Sequence, residues 1–317
     1  MRVAIIGRTY MFEAYRSKWN YLPSVAELAF ITPPILRHTL KVYQAERSAR
    51  WPHFLVPAWN TDRLSGFAFS PWHLWSILQH YRPNLIHIDE EPLSPALLEV
   101  LLLKDRLKCP IIFFSWENLP IKPKWPLSFI RRFNLQRADG AIAGTSEAGQ
   151  RLREAGFKGP ITVIPQLGVD INHFHPARNE ALRRRLDLRG FTIGYIGRMV
   201  SEKGLWILLD ALVSLNSDWC CLAVGEGPIR KAWLKQAQER GLSQRVVWVP
   251  TVSHADVAEY INAMDVLVLP SLTTQRWKEQ FGHVLIEAMA CQVPCLLYTS
   301  DAADDLLCVD LGGRRII

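Results

Sequence analysis

Short runs of apolar and β-branched residues alternate along this chain with longer stretches in which apolar positions recur every three or four residues. A continuous apolar run of four to six residues suits a strand buried on both faces, and the longer periodic segments suit the helices that cover it. In the first half the pattern predicts strands at 3–6, 28–31, 54–56, 85–88, 111–114, 141–143 and 161–164. Ser70 before Pro71 and Ser94 before Pro95 each predict a helix start, with a side-chain acceptor at the N-cap and proline at the first helical position. A polar, charged segment from Asn172 to Arg189 precedes a second series, with strands at 192–196, 220–224, 246–249 and 266–269 and helices near 205–215, 229–240, 255–264 and 284–291. The expected class is α/β: two doubly wound Rossmann-like domains, 1–178 and 179–294, with parallel sheets covered on both faces. Ligands of such sheets bind beyond the C-terminal ends of the strands, so the loops that follow strands are where chemistry is sought.

Composition narrows the class further. With 49% hydrophobic and 21% charged residues among 317, the chain can bury a large core. No apolar stretch approaches the ~20 residues of a membrane-spanning helix, and the opening MRVAIIG reads as a buried first strand rather than a signal peptide. Six scattered cysteines, without a CxxC spacing and with Cys220 and Cys221 adjacent in an apolar run, suit a reduced, cytoplasmic setting. A formal charge of +7 permits an anionic partner, whether nucleic acid, a lipid surface or a phosphorylated small molecule, and does not choose among them.

Residues 295–317, CLLYTSDAADDLLCVDLGGRRII, differ in kind from what precedes them. They resemble a translated sequencing adapter: CLLYTSDAADD resembles one frame of a transposase end followed by primer-site bases, and VDLGGRRII resembles a flow-cell adapter. The expectation is a non-native tail, a natural sequence interrupted near Pro294, and a second domain that is incomplete. Without the tail the formal charge rises to +9.

Three segments carry candidate chemistry. In YIGRMVSEKG, 195–204, a strand runs into Gly197 and a helix begins near Gly204, with Arg198 and Lys203 on the loop between. Backbone amides, a positive helix end and two cations can converge there on a diphosphate. In EQFGHVLIEAMA, 279–290, Glu279 and Glu287 offer carboxylates suited to sugar and ribose hydroxyls, and Gly282 allows close backbone approach. In AVGEGPIRKAWL, Gly225, Gly227 and Pro228 mark a tight strand-to-helix turn, and Arg230 breaks the dinucleotide fingerprint.

In this order and on this background, the three segments and the linking VIPQLGVDINHFHP resemble the retaining glycosyltransferases of family 4, over most of 100–294 and most specifically over 191–294. The resemblance implies two Rossmann-like domains facing a cleft (the GT-B type) and a nucleotide diphosphate sugar as co-substrate. It implies that Arg198 and Lys203 bind the donor diphosphate, that Glu279 contacts the transferred sugar, and that Glu287 contacts the ribose. Gly197 and the backbone of Phe281, Gly282, His283 and Val284 would lie along sugar and phosphates, and Val252 against the base. Neither a metal nor another cofactor is implied, because the two cations neutralise the charge that a divalent ion neutralises elsewhere.

The first domain departs from the family's pattern. Where many members have a glycine-rich acceptor-side loop after the first strand, this chain has Gly7 with Arg8, and where many place a histidine it has FFSWENLP, with Glu117 and Asn118 as the polar candidates. His87, Asp89, Glu90 and Glu91 also follow a strand end. The stretch WENLPIKPKWPLSFIRRFNLQR interleaves Trp116, Trp125, Phe129 and Phe133 with five basic residues, which suits either a helix packed on the sheet or peripheral contact with the inner face of a membrane. The expected activity is retaining transfer of a hexose to a glycan, lipid-linked or small-molecule acceptor, as in polysaccharide biosynthesis. Its rivals are a nucleotide-sugar epimerase of the same fold and a nucleotide-sugar-binding fragment without turnover. Nucleic acid is not an expected partner, since only charge favours it.

Overall fold

The computed structural model describes residues 1–22, 26–38, 41–275 and 277–297. It divides into two compact units, Met1–Leu167 and a second from Gly168 onward. The boundary falls eleven residues before the one expected at 178/179. Phe174 is the reason: with Val169 it packs into the second unit's core, and Ala177 donates its N–H to Asn262 Oδ1 at 2.8 Å.

The first unit is built on seven parallel strands: β1 (Arg2–Ile6), β2 (Glu27–Thr32), β3 (His53–Leu55), β4 (Leu85–Ile88), β5 (Ile111–Ser115), β6 (Gly140–Ala143) and β7 (Ile161–Val163), in the spatial order β7-β6-β5-β4-β1-β2-β3. Alternate residues face opposite ways, so Ala4, Ile6 and Ile31 enter one core and Val3, Ile5, Leu28 and Phe30 the other. Helices start at Pro71 and Pro95 behind Ser70 and Ser94 as expected, but neither serine side chain makes the capping bond; the Ser70 hydroxyl pairs instead with His73 Nδ1 at 2.7 Å.

The second unit repeats the plan with five parallel strands: β8 (Phe191–Ile196), β9 (Trp219–Val224), β10 (Val246–Val249), β11 (Val266–Leu269) and β12 (Cys295–Leu297), ordered β10-β9-β8-β11-β12. The adjacent cysteines illustrate the period of two: Cys220 lies in the core with Leu222 and Val224, and Cys221 in the opposite core with Ala223 and Trp219. The short apolar run Cys295–Leu297, the start of the stretch set apart on sequence, pairs in parallel with β11 as an edge strand. The rest of that stretch, 298–317, lies outside the described residues.

In both sheets the chain first builds outward from one strand and then crosses to its other side. The loops after β1 and β4 therefore diverge in the first unit, and those after β8 and β11 in the second, which creates the crevice where doubly wound sheets hold ligands. Gly204 locks the second of these. It has φ +67, in the left-handed region, and a Cβ there would stand 1.7 Å from the Pro270 carbonyl oxygen. Gly204→Ala is expected to destabilise the second unit by about 2–5 kcal/mol, from backbone strain plus forced separation of the two loops. Denaturant unfolding of the variant checks this, and an unchanged midpoint would contradict it.

Candidate functional site

The loops after β8 and β11 are stitched together at the second sheet's switch point. Leu272 donates its N–H to the Glu202 carbonyl at 2.8 Å, and Lys203 Nζ forms an ion pair with the Glu279 carboxylate. The same Glu279 oxygen accepts from Ser271 Oγ at 2.7 Å. The two charged side chains are only 14% and 13% exposed, so each is largely desolvated and held by the other. The ammonium also lies 5.3 Å from the centre of the Trp277 ring. Tyr195, buried in the strand, donates its hydroxyl to the Arg198 carbonyl at 2.7 Å and so fixes the loop from beneath. Burial pushes its phenol well up, with Glu279 adding to the effect and Arg198 opposing it, which keeps it a donor. Arg198 itself is exposed, and among the described residues its guanidinium makes no ion pair.

The second carboxylate sits on the helix His283–Ala290, which begins from Gly282 with φ +68. Glu287 is paired with His254 Nε2 at 3.1 Å. Desolvation pushes the Glu287 pKa up, opposed by the hydrogen bond and charge of His254 and then by His173. The His254 ring rests edge-on to Phe174 at 5.5 Å and stacks toward His173 at 6.4 Å. His283 opens the helix that carries Glu287. Loss of solvent lowers its pKa, Glu279 opposes this, and His254 and Lys203 add to it, so the ring senses both pairs. Phe281 lies edge-on to it at 5.2 Å, while Val252 and Val284 flank the core beside the helix. Gly197 follows β8 directly and donates its N–H to the Val224 carbonyl at 3.0 Å. The residues singled out in the second domain thus lie beyond the C-terminal ends of the strands of one sheet.

Sequence reasoning missed His254, Ser271, Trp277 and His173. His254 follows Val252 by two positions, and His173 lies within the linking segment, so both were near the signal without a reason to be chosen.

At the first sheet's switch point, Gly7 ends β1 so close to β4 that a Cβ would stand 2.9 Å from Asp89 Cβ. Arg8 forks onto the buried Glu90 at 2.9 and 3.1 Å, donates to the Thr61 carbonyl and covers the Phe67 ring, so its charge is engaged within the unit. Glu117 forms an ion pair with Arg131, and Asn118 is buried close by in sequence. Glu91 accepts from Ser115 Oγ at 2.5 Å and the Trp116 amide at 2.7 Å, and desolvation pushes its pKa up to about 8 against both bonds. His87 lies buried against the Trp19 ring, and burial draws its pKa down to about 4. What remains at the strand ends is Asp89, already noted on sequence, with three residues that were not: Thr9, Gln166 and Lys18. Asp89 accepts from Thr9 and Gln166, each at 2.6 Å, and Lys18 donates to the Gln166 carbonyl at 2.8 Å. Burial draws the Lys18 pKa down to about 8, with Asp89 opposing.

Removing the imidazole beside Glu287 has a definite sign. His254→Ala takes away the hydrogen bond and charge that oppose desolvation, so the Glu287 pKa is expected to move further up. A carboxyl-carbon NMR titration reads this directly, and an unchanged or lower value would contradict the pairing.

With this geometry in view, comparison with known proteins is specific. Residues 34–173 match the family model of glycosyltransferase family 4, and residues 179–310 that of glycosyl transferases group 1. The D-inositol 3-phosphate glycosyltransferase of Mycobacterium marinum is 27% identical over 210 residues, 61% of this chain and 44% of that one. The 2-deoxystreptamine glucosyltransferase of Streptomyces kanamyceticus is 30% identical over 178 residues, 53% of this chain and 45% of that one. The matched stretches span less than half the length of these relatives. Among solved structures, Anabaena HepE in complex with UDP and glucose superposes with a TM-score of 0.67 at 18% identity, covering 96% of this chain and 82% of that one. Sucrose-phosphate synthase from Thermosynechococcus elongatus gives 0.68 at 19%, covering 94% and 81%. At these identities the structural likeness is one of fold. Between them the two family matches reach from residue 34 to 310, so each unit of the chain is similar to a glycosyltransferase family, and the fold is one shared with solved glycosyltransferases.

Proposed function

We propose that this chain performs retaining transfer of a hexose from a nucleotide diphosphate sugar to a glycan, lipid-linked or small-molecule acceptor, without a metal ion. The observation that carries the reading is the Lys203–Glu279 pair at the second sheet's switch point, with Arg198 exposed on the same loop. An ammonium has three donors, so Lys203 can keep Glu279 and still meet a phosphate oxygen. As the bond from the anomeric carbon to the diphosphate breaks, its electron pair leaves with the phosphate oxygen. Arg198 and Lys203 stabilise that charge where a divalent ion does so in other transferases. Glu279, pre-oriented by Lys203 and Ser271, accepts from a sugar hydroxyl. Glu287 accepts from the ribose through the oxygen not held by His254, and Val252 borders the base. The transition state is oxocarbenium-like, and no protein nucleophile is assigned.

The UDP and glucose held by HepE support a nucleotide-sugar donor for this fold. We place the protein in the cytoplasm, which suits its free thiols at Cys109, Cys220, Cys221, Cys291 and Cys295. Among the described residues no helix is long and apolar enough to cross a membrane.

Arg198→Ala and Lys203→Ala are each expected to lower turnover by ~10² to 10³, measured as nucleoside diphosphate released from a panel of labelled sugar nucleotides. Undiminished turnover in either variant would remove the assignment, and epimerised sugar nucleotide as the only product would favour the epimerase.

A further inference from the structure

The segment from Asn118 to Ala138 carries five basic residues and no acid. Its helix, Leu127–Arg137, turns Asn134 and Leu135 inward: Asn134 donates to the Pro92 and Ser94 carbonyls, and Phe133 packs on the sheet's core beside Leu135. Packing therefore accounts for these inward residues and not for the others. Trp125 is 82% exposed, Phe129 60% and Ile121 38%, three large apolar side chains within nine residues. Two of the five cations are used internally, Arg131 on Glu117 and Arg137 on Asp105. Lys122, Lys124 and Arg132 are exposed and make no ion pair among the described residues. Arg131 also donates to the Ile121 carbonyl at 2.6 Å, which ties the preceding loop to the helix.

We propose that this surface docks the protein on an anionic lipid bilayer. The order Ile121-Lys122-Pro123-Lys124-Trp125 sets apolar tips between basic side chains, so the tips can enter the headgroup layer while the ammonium groups reach lipid phosphates. Pro120, Pro123 and Pro126 lack the amide N–H, which lowers the number of backbone donors that must be desolvated on entry. The continuous positive charge matches a sheet of phosphates better than a mixed protein surface. Attachment of this kind does not depend on the transfer chemistry, and its readout is binding rather than turnover.

The test is co-sedimentation of the whole chain with vesicles of phosphatidylcholine alone and of phosphatidylcholine mixed with phosphatidylglycerol. Binding is expected only to the mixed vesicles. Both Trp125→Ala/Phe129→Ala and Lys122→Glu/Lys124→Glu are expected to weaken it at least about tenfold, with circular dichroism unchanged. Lys231→Glu/Lys235→Glu, an equal charge change on an exposed helix of the second unit, is expected to bind as the unaltered chain does. Three results would overturn the proposal: no binding to mixed vesicles, an equal loss in the second-unit variant, or full binding after removal of the aromatic pair. Retention on single-stranded RNA in place of vesicles would assign the surface to nucleic acid instead.

Discussion

A largely desolvated ammonium and carboxylate, Lys203 and Glu279, span the divergence of two loops, and the second domain is arranged so that they can meet. Neither charge is tolerable alone at such low exposure, so the pair requires that both loops be placed to within hydrogen-bonding distance. Strand order supplies the coarse placement, because β8 and β11 are neighbours although two strands intervene in sequence. Gly204 against Pro270 supplies the fine placement, since only a residue without a Cβ lets the loops touch. Ser271 and Trp277 then close around the pair from the second loop. In the proposed reaction this arrangement would hold donors and acceptors in place before a substrate arrives, which is the condition for electrostatic stabilisation of a leaving diphosphate.

The same topology serves the two domains differently. In the first, Arg8, Glu90, Glu91 and Glu117 also lie near strand ends, yet their bonds run to side chains and backbone of the same unit. Asp89, Thr9, Gln166 and Lys18 occupy the crevice itself. A charged residue after a strand is thus not by itself a ligand-binding residue.

The strands were legible because their information is local. Continuous apolar runs with alternate residues on opposite faces, as at Trp219–Val224, leave little freedom in assignment. In the second domain Arg198 and Lys203 lie on the loop that directly follows β8, whereas Glu279 lies ten residues beyond β11 and Glu287 on a helix, so the pairing of these segments came from the family resemblance rather than from local pattern. What was not legible depends on partners distant in sequence. Arg8 and Glu90 are 82 positions apart, and nothing near either residue announces the fork between them. His254 reaches Glu287 across 33 positions. The domain boundary moved because Phe174, within a polar segment, is claimed by a core whose other buried members run from Leu182 to Val293. Ser70 and Ser94 stand at helix starts with proline after them, but the Ser70 hydroxyl pairs with His73 and the buried Ser94 hydroxyl makes no capping bond.

The most direct test of this account is calorimetric titration of nucleoside diphosphates, UDP among them, into the whole chain with a chelator present. The account predicts binding that persists without divalent ions, is lost in Lys203→Ala, and is weakened in Glu287→Gln through the ribose contact. Binding that needs a divalent ion, or that survives loss of the Lys203 ammonium undiminished, would contradict it.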